Sequence, residues 1–325
     1  MQRRVIWTFD RRGAAPGILG PFFFPRARRE ARGRARAAMS PTINLAADGV
    51  VLTAIKVAPM LVVAAVVVYI LVLLGKDALN GFRKPFLRPD IWQPVVLVDK
   101  KDVTHNVRRF RFALPYPEQQ LGLPVGQHIS IKVVSPEGAE IIRSYTPSSE
   151  SSQRGFVDFV IKVYPDGKMT QALDALKIGD KVLFKGPRGR YVHKFGRYKH
   201  MGMIAGGSGL TPMYQLLQTM LRDPNDTTKI SLLFANVNEE DILLREELDE
   251  LAKQHDRFKV HYVLNNPPAE WAGSVGFVTP EMIRERIAAP GDDVLVLRCG
   301  PPPMNRAVEG FLNDLGYQAD NVFVF

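Results

Sequence analysis

The chain has 325 residues, 46% of them hydrophobic and 23% charged, with six histidines and one cysteine. That length suggests two domains with buried cores, and the composition excludes wholesale disorder. A single cysteine excludes an intramolecular disulfide framework, and the His/Cys supply is too poor for a structural zinc site, so no metal centre is expected. The formal net charge of +10 is unevenly placed. Residues 1–40 hold ten arginines against Asp10 and Glu30, a net of +8. Residues 41–90 add +2, and residues 91–325 are balanced at 28 basic and 28 acidic side chains. The neutral body therefore lacks the electrostatic support that nucleic-acid binding needs, and no nucleic-acid partner is expected.

In chain order, residues 1–49 are an Arg-rich extension. Met39 is a second candidate start, and the expectation is that residues 1–38 are dispensable. The competing reading is a targeting peptide, since such peptides are arginine-rich and acid-poor. Residues 50–74 are expected to form a transmembrane helix. Val57 to Leu74 is an uncharged apolar run whose helical length is about 27 Å, close to a bilayer core. Lys76, Arg83, Lys84 and Arg88 follow it and favour a cytosolic body. Residues 75–93, polar with prolines, read as a linker.

Residues 94–197 carry short β-rich runs at Val95–Val98, Arg108–Ala113, Gln127–Val134, Phe156–Tyr164 and Lys181–Lys185, with one helical stretch at Thr170–Ala175. This spacing suggests a small antiparallel β-barrel. From 198 to 325 the strand-like segments MGMIAG, ISLLFAN, FKVHYVL and DVLVLRCG alternate with amphipathic helical ones, which argues an α/β domain with a parallel sheet.

Four motifs carry chemistry. In Arg143-Ser144-Tyr145-Thr146-Pro147 an arginine fork suits a diphosphate, and a tyrosine can lie against a planar ring. Gly167-Lys168-Met169-Thr170 opens a helix, where exposed N–H groups favour anions, although an ordinary capped helix with a solvated lysine reads equally from those residues alone. Gly206-Gly207-Ser208-Gly209-Leu210-Thr211-Pro212 joins a strand to a helix. Its glycines permit close approach of a ligand, but proline stands where the Rossmann fingerprint has its third glycine. Cys299-Gly300-Pro301-Pro302-Pro303-Met304 is a second strand-end turn at the edge where parallel sheets bind ligands.

These motifs, with FVIKVYPDGKMTQ, LLFAN, EEDILLREEL and the terminal FVF, occur in an order that resembles the NADH-cytochrome b5 reductases, within the ferredoxin-reductase-type flavoproteins. The resemblance covers about residues 90–325, and YVLNNPP with the apolar N-terminal run looks most like fungal members. It implies an FAD-binding domain over 94–197, an NADH-binding domain over 198–325, and electron transfer from NADH through FAD to cytochrome b5. Arg143, Ser144, Tyr145 and Thr146 would hold FAD, together with Val160, Lys162, Gly167, Lys168, Met169, Thr170 and Thr211. Gly206, Gly207, Ser208, Cys299, Gly300 and Pro301 would line the nicotinamide cleft, with Phe325 near it. Thr146, Lys162 and Cys299 are the expected catalytic residues. Cytochrome b5 is acidic, which makes Lys168, Lys185, Arg188 and Arg190 docking candidates. Ser208 stands where many members have threonine. Asn265 stands where mammalian members have an aspartate disfavouring NADPH, so NADH is expected without strict exclusion of NADPH. The expected location is the mitochondrial outer membrane, single-pass with the catalytic domain in the cytosol, or alternatively the endoplasmic reticulum, since the two membranes demand similar anchors. An acceptor such as the electron carrier of diphthamide biosynthesis is the alternative within the family. A non-catalytic membrane scaffold is the alternative of a different class, and flavin colour separates it from an enzyme.

Overall fold

The computed structural model describes residues 60–73, 75, 84–135 and 138–325. The Arg-rich extension lies outside the described residues, as do residues 50–59 and 74 of the expected membrane span. Residues 60–73 are helical and exposed throughout. Among the described residues no helix is long and apolar enough to cross a membrane.

The first domain is built on six antiparallel strands. They are β1 (Gln93–Thr104), β2 (Val107–Ala113), β3 (His128–Val134), β4 (Glu140–Tyr145), β5 (Phe156–Lys162) and β6 (Lys181–Arg188). Helix α1 (Lys168–Asp174) links β5 to β6. The strand order is β4-β3-β6-β1-β2-β5. The expected barrel is thus a curled sheet, with β4 and β5 at its two ends and unpaired to each other. Alternate residues of each strand face inward. Phe112, Phe159 and Phe184 fill the centre, with ring centroids 5.3 to 6.1 Å apart in edge-on contacts. Strand β4 was not foreseen. As an edge strand it buries little, and Ile142, Arg143 and Ser144 are exposed, so it shows no apolar alternation.

The end of the expected linker is also different. Phe86 and Leu87 are buried in the domain core, and their N–H groups donate to the carbonyls of Gln120 and Leu121 at 3.0 Å. Pro85 and the polar residues around it conceal this packing, because the partner segment lies more than thirty residues away.

The second domain alternates strand and helix: β7 (His200–Gly206), α2 (Leu210–Arg222), β8 (Lys229–Asn236), α3 (Arg245–Gln254), β9 (Phe258–Leu264), β10 (Ser274–Val275), α4 (Pro280–Arg286), β11 (Val294–Cys299), α5 (Pro302–Asp314) and β12 (Val322–Val324). Its six strands are parallel in the order β10-β9-β8-β7-β11-β12. The register pairs Ala205 with Cys299 and Gly206 with Ala235, so the carboxyl ends of β7, β8 and β11 come out level. The two domains share one apolar cluster, in which Val107, Val160 and Tyr191 of the first join Met203, Leu210, Leu216 and Phe234 of the second. Across the same contact the Gly126 N–H donates to the buried Gln215 Oε1 at 2.7 Å.

Candidate functional site

The two sheet-end loops close onto each other at backbone distance. A Cβ at Gly209 would stand 2.2 Å from the Cys299 carbonyl oxygen and 3.0 Å from the Gly300 nitrogen. A Cβ at Gly300 would lie 3.4 Å from the Gly206 Cα, and one at Gly206 would meet Met304 Sδ at 2.5 Å and Pro301 Cδ at 3.0 Å. Only glycine permits this approach. Gly207 also has φ of +52°, the left-handed region where a side chain is strained. The Gly206 and Cys299 motifs, 93 residues apart in sequence, are therefore one cleft wall. Thr211, in the first turn of α2, is held by its hydroxyl donating to the Ser208 carbonyl at 3.2 Å.

The first domain contributes a facing wall through the turn after β5. The Thr170 hydroxyl accepts from the Tyr164 N–H at 3.1 Å and donates to the Gly167 carbonyl at 3.0 Å. Gln171 Nε2 adds a bond to the Tyr164 carbonyl at 2.8 Å. A Cβ at Gly167 would collide with the Thr170 hydroxyl at 2.4 Å, so glycine is required for the turn to close. The Tyr164 hydroxyl lies 3.9 Å from where a Gly207 Cβ would sit, which brings this turn to the glycine loop. Met169 and Thr170 are buried, Met169 in the domain core. Their side chains build the turn, and Lys168 is its exposed member.

Arg143 and Tyr145, two apart on β4, point to the same side. Arg143 is exposed, with Nη1 donating to the Ile142 carbonyl at 2.7 Å. The Tyr145 ring meets Phe159 of β5 edge-on at 6.4 Å, across the open seam of the sheet. Burial pushes the Tyr145 hydroxyl up to about 12, so it is a neutral donor at physiological pH. Thr146 is buried beside it. An exposed arginine fork and a half-buried phenol on an edge strand fit the diphosphate and ring of a flavin dinucleotide.

Three of the expected site residues have partners of their own in the fold. Val160 is packed in the apolar cluster shared by the domains. Lys162 donates to Asp241 Oδ1 at 2.6 Å, so its ammonium is engaged by a carboxylate of the second domain. Cys299 is free, and burial pushes its thiol up to about 11. A protonated thiol can pack in the cleft but does not act as a thiolate. Phe325 lies beside the end of β11. Its N–H donates to the Arg298 carbonyl at 3.1 Å, and its ring lies 5.4 Å from Tyr191.

Because the folded Cys299 thiol holds its proton more tightly than an unfolded one, its contribution to stability is complete below the ordinary thiol range. That contribution is lost as pH rises towards 11. The expected result is slow alkylation of native protein by iodoacetamide at neutral pH and fast alkylation once unfolded, read by intact mass. Equal rates in the two states would overturn this account of the thiol.

Asn236 was missed. It ends β8, is 7% exposed, and both its amide atoms are buried without a partner. Its carbonyl accepts from the Asn265 N–H at 3.1 Å, which sets Asn265 beside it. An orphaned donor and acceptor at the carboxyl edge of a parallel sheet suit a dinucleotide rich in hydroxyl and amide groups. Its one sequence signal was its place at the end of the run ISLLFAN.

Comparison with known proteins agrees with this geometry. Residues 94–193 match the model of an oxidoreductase FAD-binding domain, and residues 203–310 that of an oxidoreductase NAD-binding domain. A curated protein of Aspergillus oryzae named NADH-cytochrome b5 reductase 1 is 48% identical over 254 residues, 76% of this chain and 87% of that protein. A Dictyostelium discoideum protein of the same name is 48% identical over 252 residues, 77% of this chain and 88% of its own. The crystal structure of the cytochrome b5 reductase domain of Ulva prolifera nitrate reductase superposes with a TM-score of 0.72 at 38% identity, covering 74% of this chain and all of that one. The CS-b5R domains of human Ncb5or give 0.66 at 33% identity, covering 72% and 69%.

Proposed function

This chain belongs to the NADH-cytochrome b5 reductase family, and from that premise we propose how its residues carry electrons from NADH through FAD to cytochrome b5. Bound FAD supplies the conversion between a two-electron donor and a one-electron acceptor. Arg143 grips the diphosphate and Tyr145 orients the ring. The Gly206–Gly209 and Cys299–Pro301 loops admit the nicotinamide at backbone distance, which aligns donor and flavin and excludes water. Asn236 pairs its buried amide with the bound dinucleotide. The observation that carries this reading is the closure of the two glycine loops on each other beside the Tyr164 turn. Purified protein is expected to be yellow and to reduce ferricyanide and cytochrome b5 with NADH. Colourless protein without NADH-dependent reduction of either acceptor overturns the reading. Equal or better kcat/KM with NADPH overturns the choice of donor.

The docking face for the acidic cytochrome lies on the first domain. Lys185 stands over the Trp92 ring at 5.6 Å, and Arg188 continues the same strand. Lys185→Glu is expected to slow cytochrome b5 reduction about 3- to 10-fold at low salt, with the difference shrinking as salt rises. Ferricyanide reduction should stay at the wild-type rate; equal loss with both acceptors would remove Lys185 from the docking face.

The same reading puts the protein on the mitochondrial outer membrane by a single-pass anchor over residues 50–74, with the catalytic domains in the cytosol. Its support is the apolar run and the basic residues that follow it. Membrane fractionation with carbonate extraction tests it; release into the soluble fraction overturns it.

A further inference from the structure

The apolar cluster that joins the domains is non-directional. Directional polar contacts join them as well: the Gly126–Gln215 bond, an Arg222–Glu150 ion pair and, beside the cleft, a buried carboxylate. Asp241 lies in the β8–α3 connection, and its side chain is 6% exposed. Its Oδ1 accepts from Lys162 Nζ at 2.6 Å and from Asn106 Nδ2 at 3.1 Å. Its Oδ2 accepts from the Asn238 N–H at 3.3 Å and from Asn238 Nδ2 at 3.1 Å. Lys162 ends β5 and Asn106 lies in the β1–β2 turn, so two donors come from each domain. Burial alone would raise the carboxyl, but the bonds from Lys162 and Asn106 outweigh it and hold it below the usual carboxylate range. The group is a fully satisfied anion at a fixed point.

Lys162 is also two residues from Tyr164, whose hydroxyl reaches the glycine loop. The Val163 N–H donates to the Asn106 carbonyl at 2.7 Å, which ties the two barrel partners of Asp241 to each other. Fixing Lys162 therefore fixes the flavin-side wall of the cleft against the nicotinamide-side wall.

We propose that Asp241 is a positioning residue that latches the two domains through Lys162 and Asn106 and so sets the register of the two cleft walls. The proposal rests on the reductase reading, since it gives that register a purpose. The test uses FAD-loaded wild type, Asp241→Asn, Lys162→Met and the double variant. Hydrogen exchange without NADH is read at residues 104–107 and 236–242, with 129–133 and 294–298 as interior controls. The latch predicts about tenfold faster exchange in both outer segments of Asp241→Asn, on opposite domains, with the controls unchanged. It also predicts a fall of about tenfold or more in NADH-dependent flavin reduction, with KM for ferricyanide unchanged. The double variant should be no slower than the slower single variant, because both remove one interaction. Faster exchange confined to 236–242, or additive rate losses, overturns the latch. If wild type reduces ferricyanide with NADH and Asp241→Asn matches it in rate and exchange, the latch fails and the reductase reading stands. A wild type with no NADH-dependent reduction overturns that reading, and the exchange pattern still judges the latch.

Discussion

Gly209→Ala is expected to lower NADH-dependent flavin reduction by about 100-fold while leaving bound FAD in place. The new methyl would stand 2.2 Å from the Cys299 oxygen, 2.6 Å from its carbonyl carbon and 3.0 Å from the Gly300 nitrogen. All three are backbone atoms, so no side chain can swing aside. The glycine loop and the Cys299 loop must part by about an ångström, and reacting groups displaced that far lose about two orders of magnitude. The backbone of Gly209 is already right-handed, with φ of −64°, so alanine brings no conformational strain of its own. The loss would therefore be steric. Gly310 provides the control, since nothing lies within 4 Å of its Cβ position in α5 and alanine there should be neutral or mildly stabilising. Stopped-flow reduction by NADH and the flavin-to-protein absorbance ratio separate the two halves of the expectation. A Gly209→Ala rate within about threefold of wild type would show that the loop contact does not set the alignment.

Arg143→Ala is expected to weaken FAD binding by about 10- to 150-fold, the equivalent of about 1.5–3 kcal/mol for a charge-assisted hydrogen bond. The guanidinium is exposed and its recorded bond is to the carbonyl of its own neighbour, Ile142. Its removal leaves no buried charge behind, so the fold should hold. Arg143→Lys keeps the charge and loses the planar fork, and should fall between wild type and alanine. Fluorescence titration of apoprotein with FAD measures all three. Wild-type affinity in Arg143→Ala would remove this residue from the diphosphate site.

Much of this site was legible because it is local. Each strand-end motif is a continuous run, and the alternation of strand and helix after residue 198 assigns both runs to the carboxyl edge of one sheet. What escaped depends on distant partners. Lys162 was expected in the site, but its link to Asn106 through Asp241 carries no spacing signal, because 79 and 135 residues separate Asp241 from the other two. Strand β4 has the exposure of a loop because it has one strand neighbour. Phe86 and Leu87 lie in a polar, proline-flanked segment whose burial is set by residues 120 and 121. The burial that keeps the Cys299 thiol protonated is likewise set by the fold, since nothing in the adjacent sequence shows it.

The apolar cluster formed by Val107, Val160 and Tyr191 with Met203, Leu216 and Phe234 limits how modular this molecule is. Family comparison divides the chain into two named halves, as though each were a separate part. Physically, each half carries an apolar face that its counterpart covers. The pair should melt in one cooperative transition, and either half made alone would expose a sticky surface. Exchanging a half with that of a relative would then require exchanging the matching face as well. The unit of inheritance for this reductase is the joined pair rather than either nucleotide-binding module.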